Sequence, residues 1–170
     1  DGLPLLVGVQ SRHANPVYRW RKSGAYEPVQ VTASVAQAAM IGNPVSFPKV
    51  RRLVEEHFRE RFAVVEVTEQ QIMDAMLTAN RHGHVICTQG GEGVAGLSAA
   101  LRAKLIEPGM RVVVDSTAHQ LKFADFQQKY FEGSLPAEYE IVPKKALQNR
   151  PVDLPASASA IAEYLNLDRK

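Results

Sequence analysis

The sequence predicts an α/β fold, a three-layer αβα arrangement around a mostly parallel sheet. Three observations carry this. Four short runs are rich in valine or isoleucine, at residues 4–9 (PLLVGV), 63–67 (AVVEV), 84–88 (HVICT) and 111–115 (RVVVD). Most are apolar on consecutive positions, as strands buried on both faces are. Segments with helical periodicity separate them, and glycine or proline marks several of the junctions.

The elements follow in order. Residues 12–31 hold Tyr18, Trp20 and Tyr26 with little periodicity and predict a surface connection or an excursion beside a substrate. An alanine-rich stretch at 33–40 reads as helical. It runs into Ile41-Gly42-Asn43-Pro44, where asparagine followed by proline starts a turn. Over 49–62, Val50, Leu53, Val54, Phe58 and Phe62 share one helical face, and charged residues cover the other. Thr68 followed by Gln71 is a capping-box signal. Ile72, Ala75, Met76 and Ala79 continue that helix towards a stop at Gly83. Gly90-Gly91-Glu92-Gly93 reads as a turn before a helix striped by Val94, Leu97, Leu101 and Leu105. Pro108-Gly109 closes that helix. A helix from 118 to 130 is capped by Ser116 or Thr117. The pattern divides the chain into an α/β domain at 1–131 and an irregular tail at 132–170, which ends in a helix near 156–165 with Pro155 in its first turn.

Composition excludes several function classes. The 170 residues are 45% hydrophobic and 22% charged, and long enough to bury a core without metals or disulfides. Twenty basic and 18 acidic residues leave a net charge of +2, too small for a nucleic-acid or anionic-membrane footprint. No apolar run approaches bilayer length. The single cysteine, Cys87, forbids an internal disulfide and points to a reducing, cytoplasmic setting. The five histidines have no metal-ligand spacing, so no metal is expected.

Several residues have two readings. Ser116 and Thr117 can cap a helix, or bind a ligand at the carboxyl end of a strand. The Gly90 turn can pack tightly or hold an anion on its N–H groups. Cys87 reads as a buried, inert thiol. Asp115, Ser116 and His119 have the residue types of a hydrolytic triad but lack the G-x-S-x-G elbow. Arg12, Arg19 and Arg21 can grip a phosphate or simply face solvent.

Three stretches in fixed order, 39–46 (AMIGNPVS), 86–92 (ICTQGGE) running into 94–97 (VAGL), and 115–123 (DSTAHQLKF), together with the opening LLVGVQ at 5–10, resemble the C-terminal portion of threonine synthase. That family belongs to the tryptophan-synthase-β-like, fold-type II enzymes that use pyridoxal 5′-phosphate (PLP). The resemblance implies conversion of O-phospho-L-homoserine and water to L-threonine and phosphate. It also implies that the chain is the C-terminal half of the large cofactor domain. Thr117 matches the hydroxyl that meets the pyridine nitrogen. Gln89 and Gly90 match the strand-to-helix turn lining the ring, and Gly42, Asn43 and Pro44 match a loop on the substrate side. No catalytic residue falls within the chain. The family's Schiff-base lysine, in a Phe-Lys-Asp setting, and its phosphate loop have no counterpart here, so an excised piece that is inactive alone is expected. Self-association through the sheet edge at 4–9 follows from the same reading. A cysteate synthase-like enzyme, acting on phosphoserine and sulfite, and a non-catalytic module binding a small anion at the Gly90 turn are the alternatives.

Overall fold

The computed structural model describes residues 2–149 and 152–167. Two parallel strands form the sheet, β1 (Leu6–Ser11) and β2 (Phe62–Val67), in register from Leu6 opposite Phe62 to Ser11 opposite Val67. Side chains alternate across the pair. Val7, Val9, Val65 and Val67 join one apolar cluster, whereas Phe62 and Val64 join another. Helices cover both faces, so the three layers and the parallel sheet are as expected, on two strands.

One layer holds α1 (Pro16–Ser23) and α2 (Phe47–Leu53). Helix α1 lies in a segment with little periodicity. It is only two turns long, and its exposed N–H groups are met from outside the helix. The Gln10 carboxamide oxygen accepts from Val17 N at 2.9 Å and Tyr18 N at 3.0 Å. Trp20 packs edge-on against Phe47, with ring centroids 5.1 Å apart. The single helix expected over 49–62 is interrupted: α2 passes into a π-turn at Val54–Phe58 and a 3-10 turn at Arg59–Arg61, and Phe62 already begins β2. Val54, Phe58 and Phe62 still face the same cluster, so the apolar spacing was informative while the backbone was not regular.

The other layer is a helical hairpin, α3 (Glu69–Arg81) and α4 (Thr88–Arg102). The capping box at Thr68 is complete: Thr68 Oγ1 accepts from Gln71 N at 3.2 Å, and Thr68 N donates to the Gln71 side chain at 2.9 Å. Gly90–Gly93 do not form a turn. They lie inside α4, and Gly91 N donates to the Cys87 carbonyl at 2.9 Å. The face that α4 buries most fully is Gly91, Ala95, Gly96, Ala99 and Ala100; of the expected stripe, Val94 and Leu105 pack partly on the core and Leu101 is exposed. A helix wedged between a sheet and a second helix must approach both closely, which selects small residues. A Cβ on Gly96 would stand 2.1 Å from Val9 Cγ2.

Two expected strands are not strands. Residues 84–88 contribute one antiparallel bridge, Ile86 to His119, before α4 begins. Residues 111–115 have no regular secondary structure and no ladder partner among the described residues, with Val113 91% exposed. An apolar run becomes a strand only where the fold brings it alongside a sheet edge that it can bond. The 33–40 stretch forms only a 3-10 turn at Gln37–Ala39. His119, rather than Ser116 or Thr117, caps the following segment by accepting from Leu121 N. That segment starts as a 3-10 turn at Gln120–Phe123 and becomes α5 at Ala124–Glu132. In the tail, Leu135, Tyr139, Ile141 and Leu147 pack on the core. Helix α6 (Ala158–Tyr164) is capped by Ser157, which puts Pro155 before the helix and not in its first turn. Part of the expected tail, Arg150, Pro151 and 168–170, lies outside the described residues. No helix among the described residues is long and apolar enough to cross a membrane.

Gly96→Ala is expected to force α4 off β1 and to cost about 1–3 kcal/mol. Urea denaturation checks this, and an unchanged midpoint would mean that the layer yields without cost.

Candidate cofactor-side site

Helix α4 begins where the chain emerges from the 84–87 connection, and residues 114–117 run across its first two turns. A Cβ on Gly93 would meet Val114 Cγ1 at 3.0 Å, and one on Gly90 would meet Ile86 Cβ at 2.9 Å and Ser116 Oγ at 3.3 Å. Gly90 therefore allows the crossing segment to close on the helix. Its missing side chain is replaced by protein atoms and leaves no open cradle. An open cavity of about 640 Å³ lies between α3, α4 and this segment, with Gly90, Val94 and Ser116 on its wall.

Thr117 is the next residue. It is exposed, and its hydroxyl makes no hydrogen bond among the described residues. The Gln89 carboxamide turns the other way. Oriented so that its oxygen meets donors, it accepts from Gln37 N at 3.3 Å and Ala38 N at 3.0 Å. The loop at Gly42, Asn43 and Pro44 is held separately: Asn43 Oδ1 accepts from the Tyr26 hydroxyl at 2.9 Å, and the Gly42 carbonyl from Val29 N at 3.0 Å. The structure thus brings Gly90 and Ser116 together and leaves Thr117 open beside them. Gln89 links α4 to the chain that leads into the 42–44 loop.

Other readings narrow. The Gly90 segment is helix, so the anion-holding turn has no structural counterpart. Arg12 pairs with Glu140, Arg19 Nε donates to Asn15 Oδ1 at 3.0 Å, and Arg21 Nε donates to the Phe62 carbonyl at 3.1 Å. All three arginines are thus engaged by protein acceptors. Cys87 is buried and free.

Sequence reasoning passed over a buried acidic cluster at the carboxyl end of β1. Ser11 N donates to Glu92 Oε1 at 2.7 Å, and the Ser11 hydroxyl donates to Glu69 Oε1. Glu69 Oε2 accepts from Ser34 Oγ at 3.1 Å and Val35 N at 2.6 Å. His13 Nδ1 lies 3.9 Å from Glu69 Oε1 and donates to the Ala33 carbonyl at 2.6 Å. Burial pushes the Glu92 carboxyl up to about 7. The Ser11 N–H opposes the shift, and the neighbouring Glu69 adds to it. In the sequence Glu69 is an ordinary acid in the first turn of α3, and only Glu92, a charge among glycines, carries any signal.

The profile of the pyridoxal-phosphate dependent enzyme family matches residues 1–117. The chain belongs to this family. Among individual relatives, it is 33% identical over 168 residues to "Threonine synthase 2, chloroplastic" of Arabidopsis thaliana, covering 97% of this chain and 31% of that protein. Threonine synthase of Methanocaldococcus jannaschii is 29% identical over 128 residues, covering 74% of this chain and 31% of the relative. The crystal structure of Escherichia coli threonine synthase superposes with a TM-score of 0.58 at 19% identity, over 96% of this chain and 37% of that one. The last comparison shows the shared fold. The chain spans about a third of the length of the curated relatives it matches.

The Thr117 hydroxyl, with no protein partner among the described residues, is the one expected cofactor contact left open to a ligand such as PLP. The Gln89 carboxamide is already taken.

The Glu92 pKa sets a pH dependence. The folded value, about 7, lies above the ordinary 4.5, so the native state binds the proton more tightly. Stability is full below pH ~4.5 and falls as pH rises to ~7, by at most about 3 kcal/mol. Glu92→Gln, which keeps an acceptor for Ser11 N, is expected to flatten that slope in urea titrations from pH 4.5 to 8. A slope identical to wild type would place the proton elsewhere.

Proposed function

We propose that this chain forms the pyridine-nitrogen side of the cofactor site in a threonine-synthase-like lyase, which converts O-phospho-L-homoserine and water to L-threonine and phosphate. The observation that carries this reading is the 33% identity to a plant threonine synthase over 97% of the chain. PLP, when bound, supplies the electron sink for elimination and replacement at the substrate.

The chain's own part is to hold and orient. Thr117 meets the ring nitrogen with a neutral hydroxyl. A carboxylate there would keep the nitrogen protonated; a hydroxyl does not, and so moderates the sink. The crossing segment at 114–117, closed onto α4 at Gly90, fixes where that hydroxyl stands. The loop at Gly42, Asn43 and Pro44 borders the substrate side. In this reading the Schiff-base lysine and the phosphate loop come from outside these 170 residues, and the polypeptide alone does not turn over phosphohomoserine. A reducing, cytoplasmic setting suits the lone buried thiol of Cys87. Both strands of the pair have a free edge among the described residues, and Leu3, Leu5 and Leu6 are exposed beside one of them, so self-association belongs to the same reading.

Thr117→Ala in the complete enzyme is expected to weaken PLP binding about tenfold and to shift the cofactor's absorbance, the effect of losing one hydrogen bond. An unchanged spectrum with unchanged turnover removes Thr117 from the site. Light scattering of the 170-residue chain is expected to show dimers or larger species at high concentration. Monomers throughout would exclude edge pairing.

A further inference from the structure

Residues 34–36 are completely buried yet belong to no helix or strand. Buried backbone N–H groups must find acceptors, and those of this strap do so one by one. Val35 N donates to Glu69 Oε2 and Ala36 N to Ser34 Oγ at 3.1 Å. Gln37 N and Ala38 N donate to the Gln89 oxygen, and Ala39 N donates to the Ala36 carbonyl at 2.8 Å. The remote acceptors are two side chains, from the first turns of α3 and α4. Glu69 does the most: its two oxygens take Val35 N, the Ser34 hydroxyl and the Ser11 hydroxyl, which ties the strap to the end of β1.

We infer that Glu69 is a positioning residue: it fixes the 34–39 strap and, through it, the loop at Gly42, Asn43 and Pro44 that the proposed function puts on the substrate side. The assignment of that loop rests on the proposed function, whereas the clamp itself rests on the hydrogen bonds alone. Two residues, Met40 and Ile41, separate the strap from Gly42, too few to absorb a large displacement. Without Glu69, Val35 N and the Ser34 hydroxyl lose their acceptor in a buried site, and the local 3-10 turn at Gln37–Ala39 supplies none for them.

Hydrogen–deuterium exchange on the 170-residue chain, with neither PLP nor substrate present, tests this. In Glu69→Ala, amides in peptides covering 34–46 are expected to exchange about tenfold faster or more, with β1 and β2 amides within about twofold of wild type. Glu69→Gln keeps the shape and one acceptor for Val35 N, and is expected to restore protection. No acceleration in Glu69→Ala overturns the inference. So does an equal acceleration throughout the chain, which would make Glu69 a general core residue. Glu69→Gln exchanging as fast as Glu69→Ala overturns it as well. If Glu69→Ala does not fold, Ser34→Ala removes one link to the same carboxylate. A rise of a few-fold confined to the strap then supports the clamp, and none overturns it. Failure here leaves the PLP reading intact, and loss of that reading leaves the exchange result standing.

Discussion

Val9 of β1 projects into the face of α4 at Gly96, where no side chain other than hydrogen fits. On its adjoining face, α4 closes on α3 at Gly91, where a Cβ would lie 2.7 Å from both the Ile72 carbonyl and Met76 Cβ. These two close approaches fix the height and rotation of one helix. Everything near the candidate site takes its position from that helix. Its first turn receives the crossing segment at 114–117. Its second turn carries Glu92 to Ser11, and Gln89 reaches the strap. A bulkier α4 would move all three together.

The acidic cluster shows the cost of this arrangement. The end of β1 is dry, and Ser11 is its one shared donor pair, with the N–H given to Glu92 and the O–H to Glu69. Burial of the Glu92 carboxyl is what raises its pKa, and the neighbouring Glu69 carboxylate adds to the shift. The same cluster organises the chain between α1 and α2, which lacks regular structure and would otherwise bury unsatisfied backbone. Polar side chains here do the work that a strand ladder does elsewhere.

How the fold maps onto chemistry follows from which groups are left unengaged. Gln89, Asn43 and the three arginines are committed to holding the protein together, whereas the Thr117 hydroxyl is not. In the proposal above, that hydroxyl is the group offered to PLP.

Local interactions were legible in the sequence. The capping box at Thr68, helix α3, the later turns of α4 and the strands within 4–9 and 63–67 rest on contacts within a few residues or on apolar runs, whereas the strand expected at 84–88 did not form. The resemblance to a PLP enzyme was legible in 39–46, 86–97 and 115–123. The tertiary structure decided the rest. Whether 111–115 became a strand depended on a partner edge. The buried face of α4 depended on two neighbours that select glycine and alanine over leucine. Helix α1 depended on an acceptor from Gln10, and the strap at 34–39 on Glu69 and Gln89, which are more than 30 residues away. Short-range order is written in spacing, whereas close approach and buried polar pairing arise only when distant segments meet.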